Sequence, residues 1–346
     1  MTLGNVNCSL YSRNRSKITV AGPSPISGLR PHVAGPLYLT GSTASGKSAV
    51  GIELAMRIRA EIISLDSMAV YRGMDIGTAK PSTAERTNVP HHLIDIVEPC
   101  EDFSVAQYLD KAQETVVAIQ SRGHRPLFVG GTPLYLKALL RGLFSGPAAD
   151  WSFRSELAEV ARQEGSAELH RRLAAIDPVA AAKLHPNDTR RLIRALEVFQ
   201  RTGRPISEQQ QQFDKPPAAD HPPVFVLDWP RDQLHRRIDE RVDAMFAAGL
   251  VDEVRGLLAT DRPLSRTAAQ ALGYREVVAH LAGENDLAST IDLVKRHTRQ
   301  FAKRQLTWFR SLPECRWIPV GDSFDPVEVA ERILASSPPS VYTAIA

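Results

Sequence analysis

Gly41-Ser42-Thr43-Ala44-Ser45-Gly46-Lys47-Ser48 fits the pattern G-x-x-x-x-G-K-[ST], the loop through which a strand passes into a helix around a bound phosphate. Working outward, Pro36-Leu37-Tyr38-Leu39-Thr40 is a short apolar run suited to a buried strand. On the other side, residues 49–59 carry Val50, Leu54 and Ile58 at four-residue spacing, as one face of a helix does. Strand, loop and helix is the context the pattern requires. The residue types supply the chemistry: Gly41 and Gly46 let the backbone wrap an anion, N–H groups at the helix start bond its oxygens, Lys47 neutralises it, and Ser48 offers a hydroxyl to Mg²⁺. All eight residues, Ser42, Thr43, Ala44 and Ser45 included, are therefore expected to form a phosphate-binding loop. The pattern does not say whose phosphate.

From Pro36 onward strand and helix signals alternate. This predicts an α/β fold, a parallel sheet carrying the phosphate loop with helices on both faces. Residues 61–66 read as a second strand ending in an acid, and residues 93–97 and 126–129 as further strands, the last stopping at Gly130-Gly131-Thr132. Ligands bind beyond the carboxyl ends of strands in such sheets, so Asp66 and Thr132 are expected near the loop. Each, taken singly, also looks like an ordinary turn residue.

After Leu140 the signals turn helical, over residues 153–163, 167–175 and 190–201, the last with Asn187-Asp188 as its cap and Gly203 as its stop. An inserted helical subdomain over residues 145–213 follows, splitting the core into residues 35–144 and 214–322. Arg190, Arg191 and Arg194 cluster on its last helix, with Leu192, Leu196 and Phe199 as the packing face. The glutamine run at residues 209–212 and Lys215-Pro216-Pro217 read as a flexible return to the core. There, residues 224–228 form a strand and residues 233–248 a helix with Arg237 and Arg241 on one face. A final helix over residues 289–311 places Ile291, Val294, Phe301 and Trp308 on one arc and Arg296, Arg299, Lys303 and Arg310 on another, with residues 323–346 as a tail.

The 346 residues, 43% apolar, suffice for a full core plus an insertion. Cys8, Cys100 and Cys315 are isolated thiols, which suggests neither a disulfide framework nor a structural zinc and fits a reducing cytoplasm. With 42 basic against 39 acidic residues the net charge is only +3, so a polyanion must be met by a local patch. No apolar run is long enough to span a membrane. The first 34 residues hold no acid, and Arg13, Arg15, Lys17 and Arg30 lie among Ser, Asn, Gly and Pro. A disordered extension or an over-extended start is expected there in preference to a transit peptide, because Pro23, Pro25, Pro31 and Pro36 interrupt any amphipathic helix.

Several separate blocks together resemble the bacterial tRNA dimethylallyltransferases, also called tRNA isopentenyltransferases. They are the phosphate loop, residues 66–71 (DSMAVY), 73–81 (GMDIGTAKP), 90–95 (PHHLID), 130–135 (GGTPLY), 271–276 (ALGYRE) and 301–310 (FAKRQLTWFR). The phosphate loop alone is shared by many unrelated enzymes, whereas the set is specific, and the resemblance runs from about residue 37 to 317. It implies transfer of a dimethylallyl group from dimethylallyl diphosphate to N6 of the adenosine 3′-adjacent to the anticodon, position 37, in tRNAs reading codons that begin with U. By that resemblance Asp66 is the base, Thr43 and Lys47 contact the diphosphate, Ser48 binds Mg²⁺, and Arg241 aids the leaving group. The tRNA anticodon stem-loop would be met by Asp66, Ser67, Met68 and Ala69, by Thr132 and Arg154, by Arg190, Arg191, Leu192, Ile193 and Arg194, and by Gln270, Ala271, Leu272, Gly273, Tyr274 and Arg275. The resemblance also implies a cytoplasmic monomer. Ser42 stands where the family usually has Pro, and Ser48 where many members have Thr.

Three other readings compete. A small-molecule P-loop kinase has no need of a helical insertion with an arginine face. A nucleotide-dependent switch would carry an N-K-x-D motif, which is absent. An adenylate isopentenyltransferase, acting on free adenine nucleotide, shares fold and chemistry and is the nearest alternative.

Overall fold

The structure is a computed structural model that describes residues 35–144, 146–210 and 221–337. The expectations for residues 1–34 and for residues 211–217 lie outside it. Six strands form one sheet: β1 (Leu37–Gly41), β2 (Ala60–Ser64), β3 (His91–His92), β4 (Arg125–Gly130), β5 (Val224–Asp228) and β6 (Cys315–Pro319). Their spatial order is β3-β2-β4-β1-β5-β6, and every pairing is parallel.

Strand residues point alternately to opposite faces, and the core divides accordingly. Leu37, Leu39, Leu127, Val129, Phe225 and Leu227 face α1 (Lys47–Arg57). Tyr38, Phe128, Val224 and Val226 instead face the helices that follow α2 (Thr83–Asn88), namely α3 (Val105–Ser121) and α4 (Pro133–Arg141). The Tyr38 and Phe128 rings stack at 4.9 Å on that second face. Burying near-continuous apolar strands on both sides is what a parallel sheet demands.

The insertion is helical as expected: α5 (Trp151–Gln163), α6 (Ser166–Ile176), α7 (Pro178–Lys183), α8 (Thr189–Thr202) and α9 (Ile206–Gln209) pack around Leu157, Leu169, Leu173, Leu192, Ile193 and Leu196. Asp188 caps α8 through Arg191 N–H, and Gly203 ends it in left-handed backbone. Val198 takes the buried position expected of Phe199, which is half-buried. At its centre lies Glu197, fully buried, which accepts Arg154 Nε and Nη2 at 2.8 Å each and Asp150 N at 2.7 Å, and also pairs with Arg194.

The second half of the core adds α10 (Arg231–Ala247), α11 (Leu250–Leu258), α12 (Arg266–Ala269), α13 (Tyr274–Leu281), α14 (Leu287–Arg310) and α15 (Pro326–Ala335). Four expectations need correction. Residues 93–97 are not a strand: Leu93 (φ 60°) and Asp95 (φ 56°) take left-handed backbone, Lys80 and Arg86 hold the Asp95 carboxylate, and only Val97 bridges, to Tyr71. β6 was not foreseen, because an edge strand with only Ile318 buried carries no continuous apolar run. The tail reading fails where Val329, Ala330 and Ile333 of α15 enter the core beside α1. In α14 the buried arc is Thr290, Val294, Thr298, Ala302, Gln305 and Phe309, while Phe301 is exposed; polar Thr and Gln on the inner face hid it from an apolar count.

Removing Glu197 takes away the one carboxylate that joins Arg154, Arg194 and Asp150 N–H. The two arginines reach solvent, so the loss is that of the cross-links between α5 and α8 and of the buried side chain's packing. Glu197→Ala is therefore expected to remove hydrogen-exchange protection across α5 to α9 while β1, β4 and β5 keep theirs. Uniform protection loss, or none, contradicts an insertion with its own core.

Candidate active site

β1 ends at Gly41 and α1 begins at Lys47, so the residues between them make the turn. Ala44 (φ 61°) and Gly46 (φ 83°) both take left-handed backbone, a conformation that costs a non-glycine residue about 1–2 kcal/mol. The carbonyl oxygens of Ala44 and Ser45 are turned to the outside of the loop, where Arg237 Nε and Trp229 Nε1 donate to them, each at 2.9 Å. Opposite them, Gln305 joins loop to sheet: its Oε1 accepts Thr43 N (2.9 Å) and its Nε2 donates to Gly131 O (2.6 Å). A Cβ on Gly131 would lie 2.7 Å from Gln305 Nε2 and 3.1 Å from Gly41 O, so the approach of loop, strand end and α14 requires glycine there.

Thr43, Lys47 and Ser48 line a cavity of about 610 Å³. The other loop residues, Gly41, Ser42, Ala44, Ser45 and Gly46, do not line it and shape it from behind; the Ser42 and Ser45 hydroxyls are buried without a hydrogen-bond partner among the described residues. Also in the wall are Asp66, Ser67, Met68, Ala69, Thr132, Arg241 and every residue from Gln270 to Arg275. Residues as far apart in sequence as Thr43 and Arg275 thus meet at the carboxyl ends of β1, β2 and β4, as the topology predicts.

The wall's charge is one-sided. Lys47, Lys80, Arg241, Arg275 and Arg304 line it against a single carboxylate, Asp66. Lys80 is engaged by Asp75 and Asp95, and Arg275 by Glu276. Lys47 and Arg241 have no carboxylate within ion-pair distance among the described residues. Burial first, and then the nearby Arg241 charge, push the Lys47 ammonium down to about 8, with Asp66 opposing. Burial likewise lowers Arg241, Asp66 counteracting and Arg237 adding to the fall. An anion entering here would relieve both groups.

Asp66 sits two residues beyond β2. Its Oδ1 accepts Met68 N (2.8 Å) and Ala69 N (3.3 Å), a local turn that fixes the carboxylate, while Oδ2 makes no hydrogen bond to the described residues. Thr132 Oγ1 accepts Ser67 N at 3.1 Å and so ties the end of β2 to the start of α4. Over the cavity, the Glu253 carboxylate gathers Asp75 N (2.9 Å), Ile76 N (2.7 Å) and Gly77 N (3.2 Å) and accepts Tyr274 Oη (2.6 Å). Gly77 is needed there, since a Cβ would meet the Tyr274 ring at 2.4 Å. His297 Nδ1 lies 2.8 Å from Glu276 Oε1, and Glu276 also accepts Gly273 N at 2.8 Å.

The insertion residues expected at tRNA are not in this wall. Leu192 and Ile193 are buried in the insertion's own core, so their side chains cannot make that contact. Arg154 and Arg194 are committed to Glu197. Arg190 and Arg191 are exposed, Arg191 pairing with Asp188. Sequence reasoning missed Gln305, Arg304, His297 and Glu253. The first two stand in the block at residues 301–310, but neither lies on the apolar arc or on the basic arc (Arg296, Arg299, Lys303 and Arg310) expected of that helix.

The IPP transferase family model matches residues 69–312. A tRNA dimethylallyltransferase of Geobacter metallireducens is 51% identical over 84% of this chain and 94% of its own length. One from Desulforudis audaxviator is 49% identical over 87% and 96%. Among solved structures, the full-length tRNA isopentenylpyrophosphate transferase of Bacillus halodurans matches at TM-score 0.64 and 39% identity, covering 90% of this chain and 98% of that one. A eukaryotic dimethylallyltransferase acting on tRNA matches at TM-score 0.71 and 27% identity, covering 87% and 78%. With more than half its length inside the family model and close relatives matched nearly end to end, the chain belongs to the IPP transferase family.

Proposed function

We propose that this chain transfers a dimethylallyl group from dimethylallyl diphosphate to N6 of the adenosine 3′-adjacent to the anticodon of tRNA, releasing diphosphate. The relatives are named for the dimethylallyl group and for tRNA, and the diphosphate donor, the N6 atom and the position in the anticodon loop belong to this reading. The observation that carries the reading is the cavity wall: Lys47 and Arg241 without carboxylate partners, one acid, and apolar side chains including Ile94, Val242, Met245, Leu250 and Val294. Unpaired cations suit a diphosphate and the apolar side chains suit a five-carbon chain; the volume lies within the range of small-molecule sites.

An adenine amine is a weak nucleophile because its lone pair is shared with the ring. In the transfer, the N6–C1 bond forms as the C1–O bond to diphosphate breaks, the electron pair leaves with the diphosphate, and the amine proton passes to Asp66. The unbonded Oδ2 is available for that proton while Oδ1 keeps the turn. Lys47, Arg241 and Thr43 meet the charge that grows on the departing oxygens, and preorganised cations stabilise it more in the transition state than in the ground state. A stacked base cannot reach an enclosed electrophile, so the adenosine leaves the anticodon stack, at a few kcal/mol, and enters past Ser67, Met68, Ala69, Thr132 and residues 270–275. Arg190 and Arg191, exposed on α8, are the insertion's candidates for backbone phosphate.

Ser48 is exposed at the cavity, and no group of three or more His, Cys, Asp or Glu able to hold a metal occurs among the described residues. That donor set fits a Mg²⁺ that takes most of its ligands from water and diphosphate and one hydroxyl from the protein. When bound it would neutralise part of the diphosphate charge.

Two outcomes are expected. Offered isotopically labelled dimethylallyl diphosphate with bulk tRNA or with AMP, the protein should label tRNA; label in AMP alone would favour the adenylate reading and overturn this one. The pH dependence follows from Lys47, whose charged form is lost as pH rises through about 8. The kcat/KM for the diphosphate substrate, which reports the free enzyme, should therefore fall above about pH 8, while kcat stays level to higher pH because bound diphosphate raises Lys47 again. Arginine stays charged throughout, so Lys47→Arg, whatever its absolute rate, should lack that fall. An unchanged descending limb in the variant would assign it to another group.

A further inference from the structure

The outside of the phosphate loop is held by three side chains with no place in the chemistry above. Arg237 packs against two rings that also touch each other, 4.3 Å from the centre of Trp229 and 5.0 Å from that of Phe324, and its Nε donates to Ala44 O. Trp229 packs on Phe324 at 5.2 Å and donates Nε1–H to Ser45 O. Phe324 lies against Gly46 so closely that a Cβ there would sit 2.3 Å from its ring. We propose that Phe324, Arg237 and Trp229 form a brace that positions the phosphate loop for diphosphate, and that the segment leading into α15 is in this way a working part of the site.

A trans peptide is planar, with its C=O and the next N–H on opposite sides. Fixing Ser45 O against Trp229 therefore aims Gly46 N–H the other way, toward the side where Thr43, Lys47 and Ser48 line the cavity. If that peptide turned over, a carbonyl oxygen would face the anion. Gly46 flanks that peptide and Ala44 the one before it, whose carbonyl Arg237 holds; both residues are left-handed, and at Ala44 such backbone persists only when its surroundings over-determine it. The brace supplies that determination from outside. Asp325, next to Phe324, caps α15, and α15 packs on α1, the helix that begins in the loop. Position of the ring and position of the helix start are thus coupled through one packing unit.

This inference rests on reading the loop as the diphosphate site, and the test separates the two. Binding of Mg²⁺-pyrophosphate is measured by calorimetry, with KM, kcat and melting temperature, for wild type, Phe324→Ala, Phe324→Leu and Arg237→Lys. Small displacements of a binding group can lower function about a hundredfold, so about a tenfold or larger rise in Kd for pyrophosphate and in KM for the prenyl diphosphate is expected for Phe324→Ala and Arg237→Lys. The change in kcat should be smaller, and Phe324→Leu, which keeps apolar bulk and adds nothing at the ring tip that meets Gly46, should lose less binding than Phe324→Ala. Wild-type affinity in both altered proteins overturns the brace. So does a loss of binding that appears only where the variant is also partly unfolded. A wild type that binds pyrophosphate but transfers nothing to tRNA would leave the brace standing and defeat the functional reading. A wild type that binds no pyrophosphate overturns both.

Discussion

Lys47 and Arg241 share one enclosed cavity with a single carboxylate, and the rest of the site can be read as the means of keeping them there. Two cations close together in a medium of low polarity repel, and burial adds to the cost of their charge. Burial is the main cause of the lowered Lys47 and Arg241 values, with Arg241 adding repulsion at Lys47 and Arg237 adding it at Arg241. A protein tolerates such an arrangement when a ligand supplies the missing negative charge, and strained electrostatics of this kind cluster at functional sites. The apolar side chains in the same wall make the arrangement specific: a diphosphate alone would leave them unused.

Holding the arrangement is a task for the whole fold. The parallel sheet brings the ends of β1, β2 and β4 to one edge, and Gln305 and Thr132 lock those ends to each other and to α4 and α14. Glu253 gathers three backbone N–H groups of the loop over the cavity onto one carboxylate. Behind the phosphate loop, Trp229 and Arg237 fix its carbonyls. The helical insertion is built differently, around the buried Glu197 and its two arginines, so its surface cations and the cavity's cations have separate structural origins.

The parts of this architecture that obey a short-range rule were legible in the sequence. The loop pattern at residues 41–48, the strands at β1, β4 and β5, and the cap and stop of α8 each depend on a few neighbouring residues, and each stands as expected. Asp66 and Thr132 were placed near the loop by topology, and both line the cavity. What was not legible depends on partners distant in the chain. Asp95 leaves the strand conformation because Lys80 and Arg86 hold its carboxylate. Arg194 looked like part of a basic stripe until Glu197 claimed it. Gln305 hides on a helix face whose inner residues are polar, and α15 declares itself only by what it covers.

The central claim is that the lone acid in this cationic cavity accepts the amine proton. Asp66→Asn keeps an oxygen for the Met68 and Ala69 N–H groups but loses the ability to accept a proton. The decisive measurement is kcat at saturating tRNA and prenyl diphosphate for that variant, alongside its tRNA affinity and melting temperature. General-base assistance is worth about a hundred to ten thousandfold, so the account predicts a loss of that order in kcat with tRNA affinity and melting unchanged. Near-normal turnover would contradict it, and turnover restored by excess Mg²⁺ would assign Asp66 to the metal instead.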